Sequence, residues 1–389
     1  MNNTPTYTLK DIVLYFFKLG YSGFGGPVAL VGYMHRDLVE QKKWIAEQDY
    51  KDGLALAQLA PGPLAAQLGI YLGYVHYRIL GATLCGIAFI IPSFIMVVVI
   101  GICYKMFGGL PWMQAIFYGV GAAVVGIIII SSYKLTEKSI SKFQKDSIVK
   151  NWVLWLFFIV AAIVTFITQS EALLLFVCAG LVYMFIKAPP TFISPKGTMS
   201  LLLFTNADFW QFDWNKLAKI ALFFTKAGAF VFGSGLAIVP FLHGGVVSEY
   251  HWLTEHEFLD AVAVAMITPG PVVITVGFIG YLVAGFAGAT VAALATFIPC
   301  YLFTIIPAPY FKKYGRNPSI KAFVDGITAA VVGALAGAVI VIAMRTIVDI
   351  PTALIAMASI VILLKYKKIK EPQIILAAAV IGMLCKSFL

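Results

Sequence analysis

Eight stretches of this sequence are apolar over 14 to 26 residues, and a helix that crosses a bilayer needs about 20. Only 12% of the residues are charged and 61% are hydrophobic, whereas a soluble domain carries about 25% charged residues. Too few polar side chains remain to cover a globule of 389 residues in water. The sequence therefore predicts an all-α polytopic membrane protein. The predicted spans are 79–104, 111–133, 151–168, 170–187, 283–306, 322–345, 351–364 and 373–388.

The sequence also repeats itself with an offset of 208 residues, which one deletion later changes to 207. A register that persists over such a distance indicates an internal duplication. It divides the chain into homologous halves at 1–187 and 215–389, joined by a polar linker at 188–214. The matched residues include Lys18 with Lys226, Trp44 with Trp252, Asp52 with Asp260, Pro61-Gly62-Pro63 with Pro269-Gly270-Pro271, and Pro92 with Pro299.

The distribution of lysine and arginine predicts that the two halves have opposite orientations in the membrane. Cytoplasmic loops carry an excess of these residues. The segment 35–52 has four of them, whereas the equivalent segment 243–259 has none and contains three glutamates. With two further spans at 10–34 and 218–242, we therefore expect an inverted-topology repeat with about ten transmembrane helices and both termini outside. The predicted cytoplasmic segments are 35–52, 134–150, the linker, 309–321 and 365–370.

Each half is interrupted twice by glycine or proline within an apolar region. A Pro-Gly-Pro run cannot remain helical, because two amide hydrogens are missing and two rings clash with the preceding turn. Broken helices at membrane depth are tolerated only where they line a wet cavity or are buried in protein. We therefore expect re-entrant hairpins at 53–75 and 261–281, whose half-helix N-termini offer N–H groups to an anion near the midplane. The substrate-binding candidates are Lys18, Gly25, Gly26, Pro61, Gly62, Pro63, Lys226, Gly233, Ser234, Thr268, Pro269, Gly270 and Pro271.

Two of these candidates are cations at the same repeat position. A lysine inside an apolar segment is costly unless it faces protein or water, and the charges of Lys18 and Lys226 suit an anionic substrate. The alternatives stay open. Each lysine could snorkel to the interface, the glycines and prolines could only kink or pack helices, and Thr268 could serve as an interhelical hydrogen-bonding group.

Asp52 and Asp260 also occupy matched positions. Each follows a tryptophan at a fixed spacing, which is typical of an acid in the first turn of a helix that enters the membrane; the alternative is that one of them titrates in a proton-coupled cycle. The histidines show no paired spacing of metal ligands, and the breaks contain neither histidine nor cysteine. We therefore expect no metal, no cofactor and no enzyme activity. The net charge of +10 comes from loop lysines that orient the chain, so we expect no nucleic-acid partner.

A glycine-rich turn, a tryptophan and a Pro-Gly-Pro run occur twice in the same order. The motifs are Phe24-Gly25-Gly26-Pro27-Val28-Ala29, Trp44 and Leu59-Ala60-Pro61-Gly62-Pro63 in the first half, and Phe232-Gly233-Ser234-Gly235, Trp252 and Thr268-Pro269-Gly270-Pro271 in the second. In this order and spacing they resemble the chromate ion transporter family in its long, two-domain form. The resemblance covers nearly the whole chain and implies a multi-pass protein of the bacterial inner membrane that exports chromate, with sulfate as the chemical relative.

We therefore expect a secondary transporter that exports a tetrahedral divalent oxyanion, with chromate as the first choice. Two alternatives stay open: a transporter of sulfate or another small anion, and an anion channel on the same fold. The expected partners are the small inorganic anion and the lipid bilayer. The sequence leaves the oligomeric state open, a homodimer included.

The opposite orientation of the halves can be tested with single cysteines at Gln41 and Ser248 in a variant that lacks the five native cysteines. We expect a membrane-impermeant maleimide added to intact cells to label Ser248→Cys. Gln41→Cys should react only after the membrane is opened. Labelling of both positions from one face would contradict the inverted repeat.

Overall fold

The computed structural model describes residues 7–24, 26–107, 110–141, 145–168, 173–189, 216–230, 238–314, 317–366, 369 and 371–387. Within these ranges the chain is helical and contains no β-strand, which confirms the expected all-α class. The predicted linker lies outside the described residues from position 190 onward.

The helices follow the repeat. In the first half they are α1 (Leu9–Ser22), α2 (Gly26–Met34), α3 (Glu47–Leu59), α4 (Leu64–Phe107), α5 (Pro111–Ser139), α6 (Lys145–Lys150), α7 (Trp152–Thr168) and α8 (Leu173–Lys187). In the second half they are α9 (Lys216–Phe230), α10 (Ile238–His243), α11 (Glu255–Ile267), α12 (Thr275–Ile305), α13 (Ala308–Tyr314), α14 (Pro318–Thr346), α15 (Ile350–Lys365) and α16 (Glu371–Ser387).

Four helical segments of the described chain are long and apolar enough to cross a membrane. They are α4, most of α5, the segment Val272–Phe311 that contains α12, and α14. The helices α7, α8, α15 and α16 are shorter and also apolar. Large apolar side chains such as Ile95, Ile159 and Leu354 are exposed on the outer surface, as lipid contact requires. The chain is a multi-pass membrane protein.

The Pro-Gly-Pro runs break the helices at the predicted positions. In the first half, α3 ends at Leu59 and α4 begins at Leu64. Gly53 of α3 lies directly against the ring of Tyr71 of α4, so the helices on either side of the break run antiparallel and form a hairpin with the break at its tip. The second break follows Ile267, where α11 ends, and α11 packs against α12 in the same way.

α4 folds back on itself at Arg78. This residue has φ 52° and ψ −141°, and a Cβ at Gly81 would collide with the carbonyl oxygen of Gly73. The arms 64–77 and 79–107 therefore lie side by side. α12 reverses at Gly285, which has φ 63° and ψ −154°. Both reversals separate the predicted hairpin from the predicted span that follows it.

Equivalent arms of the two halves pack against each other and run in opposite directions. The hydroxyl of Thr83 in α4 lies 2.6 Å from the hydroxyl of Tyr301 in α12. Further along α4, the ring of Phe94 contacts the ring of Phe286, with centroids 6.3 Å apart. Residue numbers thus rise along one arm while they fall along the other, so the arms are antiparallel.

The remaining long helix of each half packs against helices of the other half. α5 of the first half packs against α15 and α16 of the second half, and its equivalent α14 packs against α7 and α8 of the first. Small residues permit this close approach, because a Cβ at Gly119 would lie 2.8 Å from the Cα of Gly382, and one at Gly326 would lie 2.9 Å from the Cα of Gly180. Each half therefore completes the core of the other.

Candidate functional site

The second Pro-Gly-Pro break rests on the first half of the chain. The backbone N–H of Gly270 donates to the carbonyl oxygen of Gly23 at 3.0 Å. The hydroxyl of Ser93 donates to the carbonyl oxygen of Pro269 at 2.8 Å and lies 3.1 Å from that of Gly20. Because Ser93 stands midway along the arm 79–107, these bonds hold the break near the middle of a membrane-spanning element.

The first break also contacts the second half, although its side-chain hydrogen bond comes from its own half. The amide nitrogen of Gln67 donates to the carbonyl oxygen of Pro61 at 2.7 Å, and a Cβ at Gly62 would lie 3.2 Å from the sulfur of Cys300. Cys300 occupies the position that is equivalent to Ser93. Each break therefore packs against the matched residue of the opposite half.

A cavity of about 800 Å³ lies beside the second break. Its walls come from the glycine-rich turn, α3, α5, the second break, α14 and the start of α16. The polar and backbone groups that line it belong to Gly23, Gly26, Gln58, Ser131, Lys134, Lys138, Ser139, Thr268, Gly270, Lys321, Asp325, Thr328 and Glu371. Phe24, Pro27, Leu59, Leu64, Met266, Val272 and Val324 supply apolar surface.

Two helix starts line the cavity. α2 begins at Gly26, which has φ 71°. The helical turn that leads into α12 begins at Val272. The first N–H groups of a helix have no partner within it and carry the positive end of the helix dipole. This part of the cavity is therefore suited to an anion.

Basic side chains lie toward one end of the cavity. Lys134 and Lys138 project from the last turns of α5, and Lys321 from the first turn of α14. Asp325 and Glu371 are the acids of the lining. Three lysines against two carboxylates leave one positive charge. All three lysines lie within the basic segments 134–150 and 309–321 that were predicted to be cytoplasmic.

The structure brings some of the predicted site residues together at the cavity. Gly26, Thr268 and Gly270 line it. The hydroxyl of Thr268 donates to the carbonyl oxygen of Val264 at 2.6 Å, so its proton is engaged within its own helix. The other residues of the breaks, Pro61, Gly62, Pro63, Pro269 and Pro271, are buried or half-buried behind the lining. Gly25, Gly233 and Ser234 lie outside the described residues.

The predicted lysines of the first and ninth helices lie elsewhere. Lys18 is exposed on α1 beside Leu14 and Phe17, and Lys226 is exposed on α9 beside Leu222. Neither lysine lines the cavity. Both share a surface with apolar side chains that suit lipid contact.

The two predicted acids differ in their surroundings. Asp52 is half-buried and accepts a hydrogen bond from the side chain of Gln48 at 2.8 Å. Asp260 is 5% exposed and accepts a hydrogen bond from the hydroxyl of Tyr104 at 2.6 Å. Neither lines the cavity. The equivalent of Tyr104 in the second half is Phe311, which cannot donate such a bond.

The sequence analysis used Lys134, Lys138 and Lys321 only to predict which loops are cytoplasmic, because these lysines fall in segments that were predicted as loops. α5 instead continues to Ser139, and its last two turns place Lys134 and Lys138 on one face. The spacing of four residues between these lysines is the signal that could have found them.

Helices of both halves pack together at the opposite end of the molecule. α11 packs against α5, α14 and α16 there, and Glu255 accepts a hydrogen bond from Arg345 at 2.9 Å while it contacts His243 at 2.8 Å. Burial raises the pKa of Glu255, but the bonds with His243 and Arg345 outweigh it and hold the pKa below its usual value. Glu255 therefore stays ionised at neutral pH.

The sequence profile of the family described as Chromate transporter matches residues 10–184 and 218–383. The chain belongs to the chromate transporter family. The family match thus covers both halves of the repeat and leaves out the predicted linker.

Relatives within the family are similar over nearly their whole length. The chromate transport protein of Cupriavidus metallidurans is 61% identical over 388 residues, which cover 98% of this chain and 94% of that one. The probable chromate transport protein of Synechococcus elongatus is 55% identical over 98% of this chain and 96% of that one. An uncharacterized transporter of Methanocaldococcus jannaschii is 28% identical over 96% and 94%. No solved structure matches the chain. As a member of this family the protein is a transporter and not an enzyme.

The contact between the second break and Ser93 makes a testable prediction. A Cβ at Gly270 would collide with the hydroxyl of Ser93, and φ of 95° is strained for any other residue. We expect Gly270→Ala to lower the free energy of unfolding by about 1–3 kcal/mol and Ser93→Ala by about 1 kcal/mol.

The double variant should lose less stability than the sum of the two single variants, because removal of the hydroxyl relieves part of the collision. Thermal unfolding of the purified proteins in detergent measures all three. Strictly additive losses would contradict the contact.

Proposed function

We propose that this protein is a secondary transporter that exports chromate from the cytoplasm. The observation that carries the proposal is the cavity, which combines helix N-termini beside the second break with three lysines toward one end. The family membership supports the choice of anion, because the relatives from Cupriavidus metallidurans and Synechococcus elongatus are named as chromate transport proteins.

The cavity suits a small dianion for two physical reasons. The lysines raise the local concentration of anions at the mouth through their electrostatic potential. Backbone N–H groups near Gly26 and Val272 then replace part of the water around the anion. Lys134 and Lys321 therefore attract the anion to the mouth, and the N–H groups of the broken helices bind it.

We infer that the halves form an inverted-topology repeat in a bacterial inner membrane. The antiparallel packing of the equivalent arms in α4 and α12 supports it, since two equivalent spans that run in opposite directions cross the bilayer with opposite polarity. The basic segments lie beside the mouth of the cavity, so the positive-inside rule places this mouth on the cytoplasmic side. Because α5 packs against α15 and α16, and α14 against α7 and α8, the moving units then combine helices of both halves.

Export fits the energetics of a dianion. The free energy of a single charge that crosses 100 mV changes by about 2.3 kcal/mol. The free energy of chromate, a dianion, therefore falls by about 4–5 kcal/mol when it leaves a negative interior without a compensating charge. A cavity that is open toward the cytoplasm and closed by Arg345 and Glu255 at the other end is the state that loads the anion. Closure at one end also favours a transporter over a continuously open channel.

The remaining residues predicted from the sequence keep their roles as proposals. Lys18 and Lys226 would act on the anion only in a state in which α1 and α9 turn toward the pathway. Of the two acids, Asp260 is better placed for proton coupling, because it is buried and bonded to Tyr104, and a change of its partner would alter its proton affinity.

Flux measurements test the substrate and the type of transport. In proteoliposomes that contain the purified protein, we expect labelled chromate flux to saturate and to accelerate when the loaded side is negative. Unlabelled sulfate should compete, because it matches chromate in charge and tetrahedral shape. Phosphate and molybdate are the comparison anions. Flux that never saturates would contradict a transporter, and sulfate flux without chromate flux would contradict the substrate.

The cavity lysines predict a specific kinetic change. Lys134→Gln and Lys321→Gln each remove a positive charge at the mouth. We expect either variant to raise the chromate concentration for half-maximal flux about tenfold, which corresponds to about 1.4 kcal/mol.

Lys10→Gln, which changes an exposed lysine at the start of α1, serves as the matched control. Lys18→Gln and Lys226→Gln are compared in the same assay. A change confined to Lys18 and Lys226 would overturn the assignment to the cavity lysines.

A further inference from the structure

One ion pair lies at the end of the molecule that is opposite to the cavity lysines. Arg345, at the C-terminal end of α14, donates to Glu255, the first residue of α11, at 2.9 Å. His243 holds the second carboxylate oxygen of Glu255 at 2.8 Å. The pair joins α14 to α11.

The same set of residues recurs at the open end. The repeat matches Glu255 with Glu47, His243 with His35, and Arg345 with Lys138. His35 lies 2.9 Å from Glu47, as His243 does from Glu255. The histidine and the carboxylate therefore keep the same arrangement in both halves.

The cationic member of the set differs between the two ends. Lys138 lines the cavity and forms no ion pair with any acid in the part of the chain that the structure describes. Glu47 is instead paired with Lys51, one helical turn later, at 3.1 Å. The position equivalent to Lys51 is Leu259, so Glu255 has no such local partner and reaches across to Arg345.

We propose that Lys138 and Glu47 form an ion pair that closes the cytoplasmic end of the cavity while the pair between Arg345 and Glu255 opens. This inference rests on the proposed function, because it describes how the same cavity changes sides. Two halves with the same fold can exchange conformations, and each residue then takes the contacts of its equivalent. In the exchanged state α3 moves against α5 as α11 lies against α14 now, and Lys138 replaces Lys51 as the partner of Glu47.

The difference between arginine and lysine favours one of the two conformations over the other. The planar guanidinium of Arg345 presents several donors to a carboxylate, whereas the ammonium of Lys138 is a single strongly hydrated charge. Lys51 also competes for Glu47. The pair at the outer end is therefore the stronger one, and the protein rests with its cavity open to the cytoplasm, where an exporter collects its anion.

A labelling experiment without any anion tests the exchange. A single cysteine at Thr328, which lines the cavity, reports whether the cytoplasmic end is open in membranes of a variant that lacks the native cysteines. We expect Glu255→Gln to break the outer pair and to slow the labelling from the cytoplasmic side about fivefold, the population shift that the loss of one partly buried ion pair produces. Glu249→Gln, at an exposed glutamate of the same segment, should leave the labelling rate unchanged.

A second substitution then tests the inner pair. Lys138→Gln added to Glu255→Gln should restore fast labelling, because the pair with Glu47 can no longer form. Lys134→Gln, one turn earlier on α5, should not restore it. Arg345→Gln provides an independent way to break the outer pair if Glu255→Gln does not fold.

Unchanged labelling in both outer variants, or equal rescue by Lys134→Gln and Lys138→Gln, would overturn the exchange. The outcome is separate from that of the proposed function. Labelling that follows the expected pattern in a protein that does not move chromate would support the exchange and refute the substrate, whereas normal chromate flux with unchanged labelling would refute the exchange alone.

Discussion

The stability of the structure depends on hydrogen-bonding partners for backbone groups that water cannot reach in a bilayer. Each Pro-Gly-Pro run leaves carbonyl and N–H groups without helical partners at the depth where water is scarcest. The opposite half supplies what is missing at the second break, where Ser93 donates to Pro269 and Gly23 accepts from Gly270. A membrane site made of exposed backbone is therefore stable only because two halves meet there.

This dependence explains why the breaks were accessible to sequence analysis. The Pro-Gly-Pro runs that begin at Pro61 and Pro269 cannot remain helical, and the structure ends α3 and α11 within two residues of those positions. The duplication then fixes which residues are equivalent. Which long helices pack against each other could not be predicted from the sequence. The packing depends on which apolar helix faces meet, and these faces are all built from the same kinds of apolar residue.

The cationic groups were harder to predict. Lys18 and Lys226 stand out because they lie inside apolar segments, yet the structure exposes both on outer helix faces. Lys134 and Lys138 look like loop residues until α5 is seen to continue to Ser139. A hydropathy pattern marks where hydrocarbon ends and not where a helix ends, so charged turns that extend beyond the apolar run escape it.

The packing of α5 and α14 against helices of the other half also determines when the protein can complete its fold during synthesis. α5 emerges from the ribosome long before α15 and α16, the helices that cover it. α7 and α8 must likewise wait for α14. The first half therefore enters the membrane with uncovered surfaces that lipid or an insertion factor must occupy in the meantime. The last two helices complete a core that was begun some 200 residues earlier, so the transporter reaches its folded state only when translation is nearly finished.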